Sequence, residues 1–364
     1  MNFPPEAVRA FEHAGWQRAA SSYGNSFAHA TAPFAAPLLE AAQISPGQHV
    51  LDVACGPGYL AAAAAERGAI AHGLDFSAEM VGIARSIHPD IAVTEGDAED
   101  LPYPDDTFHA VVSSFGIHHV PRPELALAEC KRVLKPGARI AFTVWATPEA
   151  NVAWSLVFDA IARHSNRSVA QAPPPGALNR IDQCVRALEA TDFVERSAEI
   201  VRAEWFLPNA QALIAALSAG TVRMAALIGA QEPSALAAIA SDIDSQAERF
   251  RRDQNLAIPI AKGFGLLSAV TRSKHTKRPN SLFRQSTALR PRASTAAAPL
   301  APTITCRFPA CAAKAPPLTG ASTKTQPNSS SQLFWIVTRA TVDMQMKMSP
   351  PPATEATSET TLST

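Results

Sequence analysis

An apolar run ending in a glycine turn, Val50-Leu51-Asp52-Val53-Ala54-Cys55-Gly56-Pro57-Gly58, leads into an Ala-rich helix and then Gly73-Leu74-Asp75, and this leaves the chain few folds to choose from. The order is strand, tight turn, crossover helix, strand, which begins a parallel sheet with a crevice at its carboxyl end. Glycine at 56 and 58 admits a ligand to the backbone where a Cβ would block it, and Pro57 stiffens the loop between them. Asp75, about 20 residues further on at the tip of the next strand, suits a ribose diol.

The alternation continues to about residue 145. Strands are expected at 49–54, 70–75, 91–95, 110–114 and 139–145. Helices are expected at 59–67, at 78–87 behind a Ser77 N-cap, and at 124–134, stopped by Lys135-Pro136-Gly137. Short apolar strands separated by helices predict an α/β, doubly wound, Rossmann-like sheet of seven mostly parallel strands covered on both faces. Residues 1–45 read as a helical cap carrying Trp16, Tyr23 and Phe27, and 46–148 as the nucleoside-binding core. Residues 149–274 read as lid helices, at 149–165, 182–190 and 209–251, with last strands near 194–206 and 258–271.

From residue 275 to 364 the composition changes. Serine, threonine and proline dominate without periodicity, and ten Lys and Arg stand against three Asp and Glu. Such a segment buries too little apolar surface to offset its ordering entropy, so a disordered tail is expected. The change is abrupt enough to suggest a shifted reading frame beginning near Lys262. The remaining residues hold 22 Lys and Arg against 29 Asp and Glu. A mildly acidic body argues against a nucleic-acid partner, because phosphate binding needs clustered cations. The five cysteines are scattered, with no zinc spacing and no disulfide framework. The first residues lack a basic start followed by an apolar run, and Ala210 to Ala230 is interrupted by Ser218, Gly220 and Arg223. A cytoplasmic protein with no secretory signal and no membrane span is expected.

Three later segments decide the class: Gly96-Asp97-Ala98-Glu99-Asp100-Leu101-Pro102, Ser113-Ser114-Phe115-Gly116-Ile117-His118-His119-Val120 and Arg132-Val133-Leu134-Lys135-Pro136-Gly137. With the glycine turn and Asp75 they make the chain resemble the class I S-adenosylmethionine-dependent methyltransferases. The resemblance spans roughly residues 10–272 in outline and is specific over 48–145. Within the class it is nearest the UbiE-type branch, which includes quinone-ring C-methyltransferases. It implies S-adenosylmethionine as cofactor and methyl transfer to a small, largely apolar acceptor at carbon, oxygen or nitrogen.

The resemblance also implies where the cofactor lies. Ala54, Gly56, Pro57 and Gly58 would border it. Asp75 would take the ribose hydroxyls, and Phe76 and Met80 would cover the adenine; the plainer reading of Asp75-Phe76-Ser77 is a turn and N-cap. Asp97 and Ala98 would meet the adenine edge, and Ser114 and Phe115 the methionine part. Asp52, inside the first strand where an unpaired carboxylate is costly, would hold the glycine loop or a water near the methionine amine, or serve only as a loop cap. Tyr23 and Phe27 would either cover the sulfonium or staple the leader to the sheet. His118 and His119 are the candidate general bases, although the quinone enzymes usually show a different pair at this point.

A nicotinamide oxidoreductase shares the crevice, but its glycine pattern needs glycine where this chain has Ala61. A module that binds S-adenosylmethionine without transferring methyl is the other alternative. Ala261-Lys262-Gly263-Phe264-Gly265, where an apolar strand is expected, favours it. The sequence indicates no oligomeric state.

Overall fold

Strands that carry valine, isoleucine and leucine on both faces can be satisfied only inside a sheet covered on both sides. The computed structural model describes residues 4–145, 151–165, 178, 180–260 and 264–271, and these build that sheet. Its strands are β1 (His49–Val53), β2 (Ile70–Asp75), β3 (Ala92–Glu95), β4 (Phe108–Ser114), β5 (Leu134–Val144), β6 (Val194–Val201) and, last in the chain, β10 (Phe264–Val270). The order is β3-β2-β1-β4-β5-β10-β6. Strands β1 to β5 pair in parallel, and β10 runs antiparallel to both β5 and β6.

Alternation along β1 divides the core. Leu51 and Val53 join Val111, Ile140 and Phe142 against Leu127 and Cys130 on one face. Val50 joins Ala110, Val112 and Ala141 against Leu38, Leu39, Ala61 and Ala64 on the other. The covering helices are α3 (Ala35–Ala41), α4 (Tyr59–Glu66), α5 (Ala78–Ile87), α6 (Pro123–Val133) and α8 (Ile181–Ala190). Ser77 caps α5 as expected, accepting from the Met80 N–H.

Four expectations are revised. Lys135-Pro136-Gly137 does not form a loop: α6 ends at Val133 and β5 begins at Leu134, with a register shift opposite Phe108 and Ala110 and Gly137 at φ 81°. A bulge lets proline and a left-handed glycine sit at the start of a strand. The expected strand 194–206 is two strands in different sheets, because β7 (Glu204–Leu207) pairs with β9 (Asn255–Pro259), and β9 with β8 (Arg251–Arg252). The expected helix 209–251 is three helices, α9 (Ala210–Gly220), α10 (Arg223–Gly229) and α11 (Pro233–Ala247), the last opened by proline at its first position. Finally, the expected strand near 258–271 is two strands in different sheets, because β9 ends at Pro259 in the three-stranded sheet while β10 runs from Phe264 to Val270 between β5 and β6. The tail expected to be disordered, 275–364, lies outside the described residues.

Helices after β5 share a core with the N-terminal segment, through Phe27, Ala30 and Phe34. Helix α7 (Val152–His164), α9, α10, α11 and β7 bury Leu156, Leu213, Leu217, Ile243 and Trp205 together. Phe206 is turned the other way and is 60% exposed, as strand alternation requires beside a buried Trp205. The N-terminal cap consists of α1 (Pro5–Tyr23), α2 (Ala28–Thr31), one 3-10 turn and α3. Among the described residues no single helix is long and apolar enough to cross a membrane. The α9–α10 pair meets the criterion only together, and it is bent by 117°.

Candidate functional site

The strand order reverses between β1 and β4, and open α/β sheets bind ligands in the crevice at that point. Two loops nest there. After β1 the chain passes through Ala54, Gly56 and Gly58, all in the left-handed region, with Gly58 at φ 83° serving as N-cap of α4. After β4, Phe115 is also left-handed at φ 55°. Non-glycine residues hold that conformation only when their surroundings enforce it. Phe115 is held by its N–H donating to Thr143 Oγ1 at 3.0 Å and by its ring stacking on Trp145 at 4.1 Å. Gly116 brings the loops into contact, since a Cβ there would lie 2.5 Å from the Ala54 Cβ and 2.9 Å from Ser113 Oγ. Gly116→Ala is therefore expected to force β1 and β4 apart and to cost about 1–3 kcal/mol. The urea unfolding midpoint checks this, and an unchanged midpoint would show that the loops can part freely.

Asp75 anchors the glycine loop. Its Oδ2 accepts from the Gly56 N–H at 2.8 Å and its Oδ1 from the Ser77 N–H at 2.9 Å. The carboxylate keeps acceptor capacity for a ligand hydroxyl. Burial pushes the carboxyl up to about 6, against the N–H groups of Ser77, Gly56 and Phe76. Asp52, expected to hold the glycine loop or a water or to serve as a loop cap, ties the end of β1 to the start of α4: its Oδ2 accepts from the Ala61 N–H at 3.1 Å. Its Oδ1 is buried with no partner, and burial, only partly opposed by the Ala61 N–H, holds this carboxyl well above the ordinary range.

Beside Asp75 lies an open groove of about 670 Å³ lined by Glu6, Arg9, Ala10, His13, Phe76, Glu95, Gly96 and Asp97. Phe76 borders it, edge-on to His13 at 5.3 Å, whereas Met80, 2% exposed, packs beneath the Gly56 turn. Ala98 is buried. Asp97 accepts from the Glu99 N–H at 2.9 Å and pairs with Arg9 of α1. Glu99 takes Arg9 at 2.7 Å and Arg122 at 2.6 Å, so one buried carboxylate joins the cap helix to the start of α6. Gln17, also on α1, accepts from the Glu79 N–H at 3.1 Å and from the Ser77 hydroxyl.

On the opposite side, Ser114 ends β4, half-buried, and the 3-10 turn Ile117–His119 follows. His119 Nδ1 lies 3.1 Å from Glu12 Oε2, and its ring is 4.1 Å from that of His118. Burial, then the charges of His119 and Arg223, push His118 well below the ordinary histidine value. Tyr23 is edge-on to Trp16 and Phe27, with its hydroxyl 3.3 Å from Thr31 Oγ1. Burial in the first place, and the nearby Tyr59, Asp75 and Asp52, push that hydroxyl up to about 12. Phe27 is the hub of an aromatic cluster, 5.5 Å from Trp145, 5.8 Å from Trp154 and 5.7 Å from Trp205.

The sequence assigns no site role to Arg9, Glu12, His13 or Trp16, although Trp16 stands out as an aromatic of the N-terminal helices. Their spacing of three, four and seven places them on one face of α1. The spacing was visible, but a polar helix face ordinarily reads as solvated.

Residues 51–142 match a family model described as a methyltransferase domain. A demethylmenaquinone methyltransferase from Renibacterium salmoninarum is 40% identical over 111 residues, covering 30% of this chain and 47% of that protein. One from Mycobacterium bovis is 34% identical over 169 residues, covering 45% of this chain and 69% of that protein. The chain belongs to the class I S-adenosylmethionine-dependent methyltransferases. Against several of these relatives it spans just under half of their length. Among solved structures, the YcgJ protein from Bacillus subtilis superposes with a TM-score of 0.45 at 19% identity, over 66% of this chain and 99% of that one.

The crevice of this methyltransferase suits the family's cofactor on its own geometry. The groove beside Phe76, of about 670 Å³, has room for a purine-sized group. Asp75 is oriented with acceptor capacity to spare, and the orphaned Oδ1 of Asp52 lacks the donor that an ammonium group or a water would supply.

Proposed function

We propose that this methyltransferase carries the methyl group of S-adenosylmethionine to a small, largely apolar acceptor by in-line displacement. Bound S-adenosylmethionine would supply an electrophilic methyl group on a sulfonium. The observation that carries the reading is Asp75, held by the Gly56 and Ser77 N–H groups at the switch point, with Phe76 beside it on the groove. In this reading Asp75 accepts from the ribose hydroxyls and Phe76 covers the adenine. Asp97 and Ala98 meet the adenine edge once Arg9 yields, and Asp52 faces the methionine amine. Ala54, Gly56, Pro57 and Gly58 border the nucleoside, and Ser114 and Phe115 the methionine chain. His118 and His119 face the acceptor. Residues 1–45 serve as cap, 46–148 as cofactor-binding core and 149–274 as lid and last strands.

Displacement at a methyl carbon needs alignment and exclusion of water more than a dedicated catalytic group. The aromatic stack of Phe115, Trp145 and Trp154, at 4.1 and 4.8 Å, supplies a dry wall that favours a flat acceptor. The demethylated quinol ring indicated by the relatives' names belongs to this class.

Calorimetric titration of the full chain with S-adenosylmethionine, alongside Asp75→Ala, tests the reading. Binding in the micromolar range, lost in the variant, is expected. Absence of binding by folded protein would overturn it, and binding with no transfer from labelled donor to any aromatic acceptor would reduce it to a binding module.

A further inference from the structure

The N-terminal helix supplies part of the nucleoside groove: Glu6, Arg9, Ala10 and His13 of α1 line it together with residues at the ends of β2 and β3. Arg9, His13 and Gln17 recur at every fourth position of α1 and so share one face. Each meets a different part of the site. His13 is edge-on to Phe76 at 5.3 Å, and Gln17 accepts from the Glu79 N–H at 3.1 Å and from the Ser77 hydroxyl. Those two contacts seat the helix against the turn after β2. Arg9 reaches the loop after β3 instead, where it pairs with both Asp97 and Glu99.

One guanidinium thus spans two carboxylates that differ in their need of it. The Glu99 side chain is 3% exposed, and Arg122 alone gives it three donors: its backbone N–H at 2.8 Å, Nε at 2.8 Å and Nη2 at 2.6 Å. Arg9 Nη2 adds a fourth at 2.7 Å. The Asp97 side chain is 37% exposed, and a carboxylate in contact with water gains little stability from an ion pair. Neither acid depends on the Arg9–Asp97 pair. What the pair controls is access. Asp97 Oδ1 accepts from the Glu99 N–H at 2.9 Å, and Oδ2, the oxygen that the loop leaves over, is taken by Arg9 Nη1. An adenine amine donating to Asp97 needs that same oxygen. Because a guanidinium presents several donors in a rigid fork, Arg9 can leave Asp97 and keep Glu99, and no buried charge is stranded by the exchange.

We propose that Arg9 competes with the purine amine for Asp97, so that the free protein holds its own adenine site closed and nucleoside entry requires Arg9 to withdraw onto Glu99. This rests on the S-adenosylmethionine reading and concerns the adenine end of that site. The gate is one side chain and not the whole helix, since His13 and Gln17 hold α1 in place whichever carboxylate Arg9 pairs with. A 6-oxopurine has no amine proton to give to Asp97 and does not compete.

Calorimetric titration of the full chain with S-adenosylhomocysteine tests this, because that ligand carries no sulfonium charge for Arg9 to repel. Arg9→Met is expected to tighten binding about two- to fivefold, the factor lost by a site that is closed for roughly half to four-fifths of the time. The 6-oxo analogue S-inosylhomocysteine is expected to show no such gain, and in an Asp97→Ala background Arg9→Met is expected to change nothing. Weaker binding by Arg9→Met would make Arg9 a wall of the adenine site, and unchanged affinity would make the pair incidental. Tightening that persists without Asp97 would assign the effect to loosening of α1. Each of these three results would overturn the proposal. If Asp97→Ala binds too weakly to titrate, a potassium chloride series decides: affinity should rise with salt in the parent, as the ion pair is screened, and not in Arg9→Met, and equal slopes would overturn the gate. Absence of binding by parent and Arg9→Met alike would instead refute the function on which the proposal rests.

Discussion

Asp75→Asn is expected to weaken S-adenosylmethionine binding by about a hundredfold or more while making the ligand-free protein relatively more stable at alkaline pH. Two hydroxyls donating to an ionised carboxylate contribute about 1.5–3 kcal/mol each, and about 3 kcal/mol corresponds to a hundredfold in affinity. The amide keeps one acceptor and presents a donor where the second hydroxyl needs a lone pair. The stability effect has the opposite sign. Burial raises Asp75 from an ordinary 3.8 to about 6 in the folded protein. Its contribution is thus fully present below about 3.8 and is lost as pH rises through 6. The asparagine variant does not titrate, so its stability relative to the parent should climb by about 3 kcal/mol between pH 3.5 and pH 8, because a carboxyl raised from 3.8 to about 6 loses about 1.4 kcal/mol for each pH step between those values. Urea midpoints of both proteins across that range measure it. Curves that stay parallel, with donor affinity unchanged, would reduce Asp75 to a turn residue. The same titration predicts that the parent binds S-adenosylmethionine more weakly below pH 6.

Trp205→Ala carries the largest expected cost in folding. Trp205 lies on β7 at 1% exposure, is the largest fully buried side chain among the described residues, and packs edge-on to Phe27 at 5.7 Å. Removing a fully enclosed indole leaves a cavity that the surrounding Leu213, Leu217 and Ile258 cannot close, at a cost of about 3–5 kcal/mol. For a unit of this size the thermal midpoint should fall by on the order of 10 °C. Phe27 belongs to the cap and Trp205 to the lid, so the variant should also expose α1 to proteolysis at temperatures where the parent resists. A drop below about 1 kcal/mol would mean that cap and lid do not share one core. Phe206→Ala, at the exposed neighbour, serves as the neutral control.

Within these elements the sequence alone decided what depends on near neighbours. The β1–turn–α4 unit, the Ser77 cap, the alternation through β5 and the place of Asp75 follow from apolar runs, glycine turns and cap residues whose effects reach only a few positions along the chain. Tertiary structure decided what depends on partners far away. Asp75, from the end of β2, takes the loop at the Gly56 N–H, and Asp52, from β1, takes the helix start at the Ala61 N–H. Residues 194–206 split because Glu204 to Leu207 find β9 while Val194 to Val201 find β10. The inward polar face of α1 was set the same way. Arg9, Glu12 and Trp16 have ordinary surface spacing, and only the arrival of Asp97, Glu99, His119 and Arg223, each from at least 88 residues away, makes it favourable to bury Glu12 and half-bury the other two. A charge buried with its counter-charge is stable and one buried alone is not, and no local pattern records which partner the fold will bring.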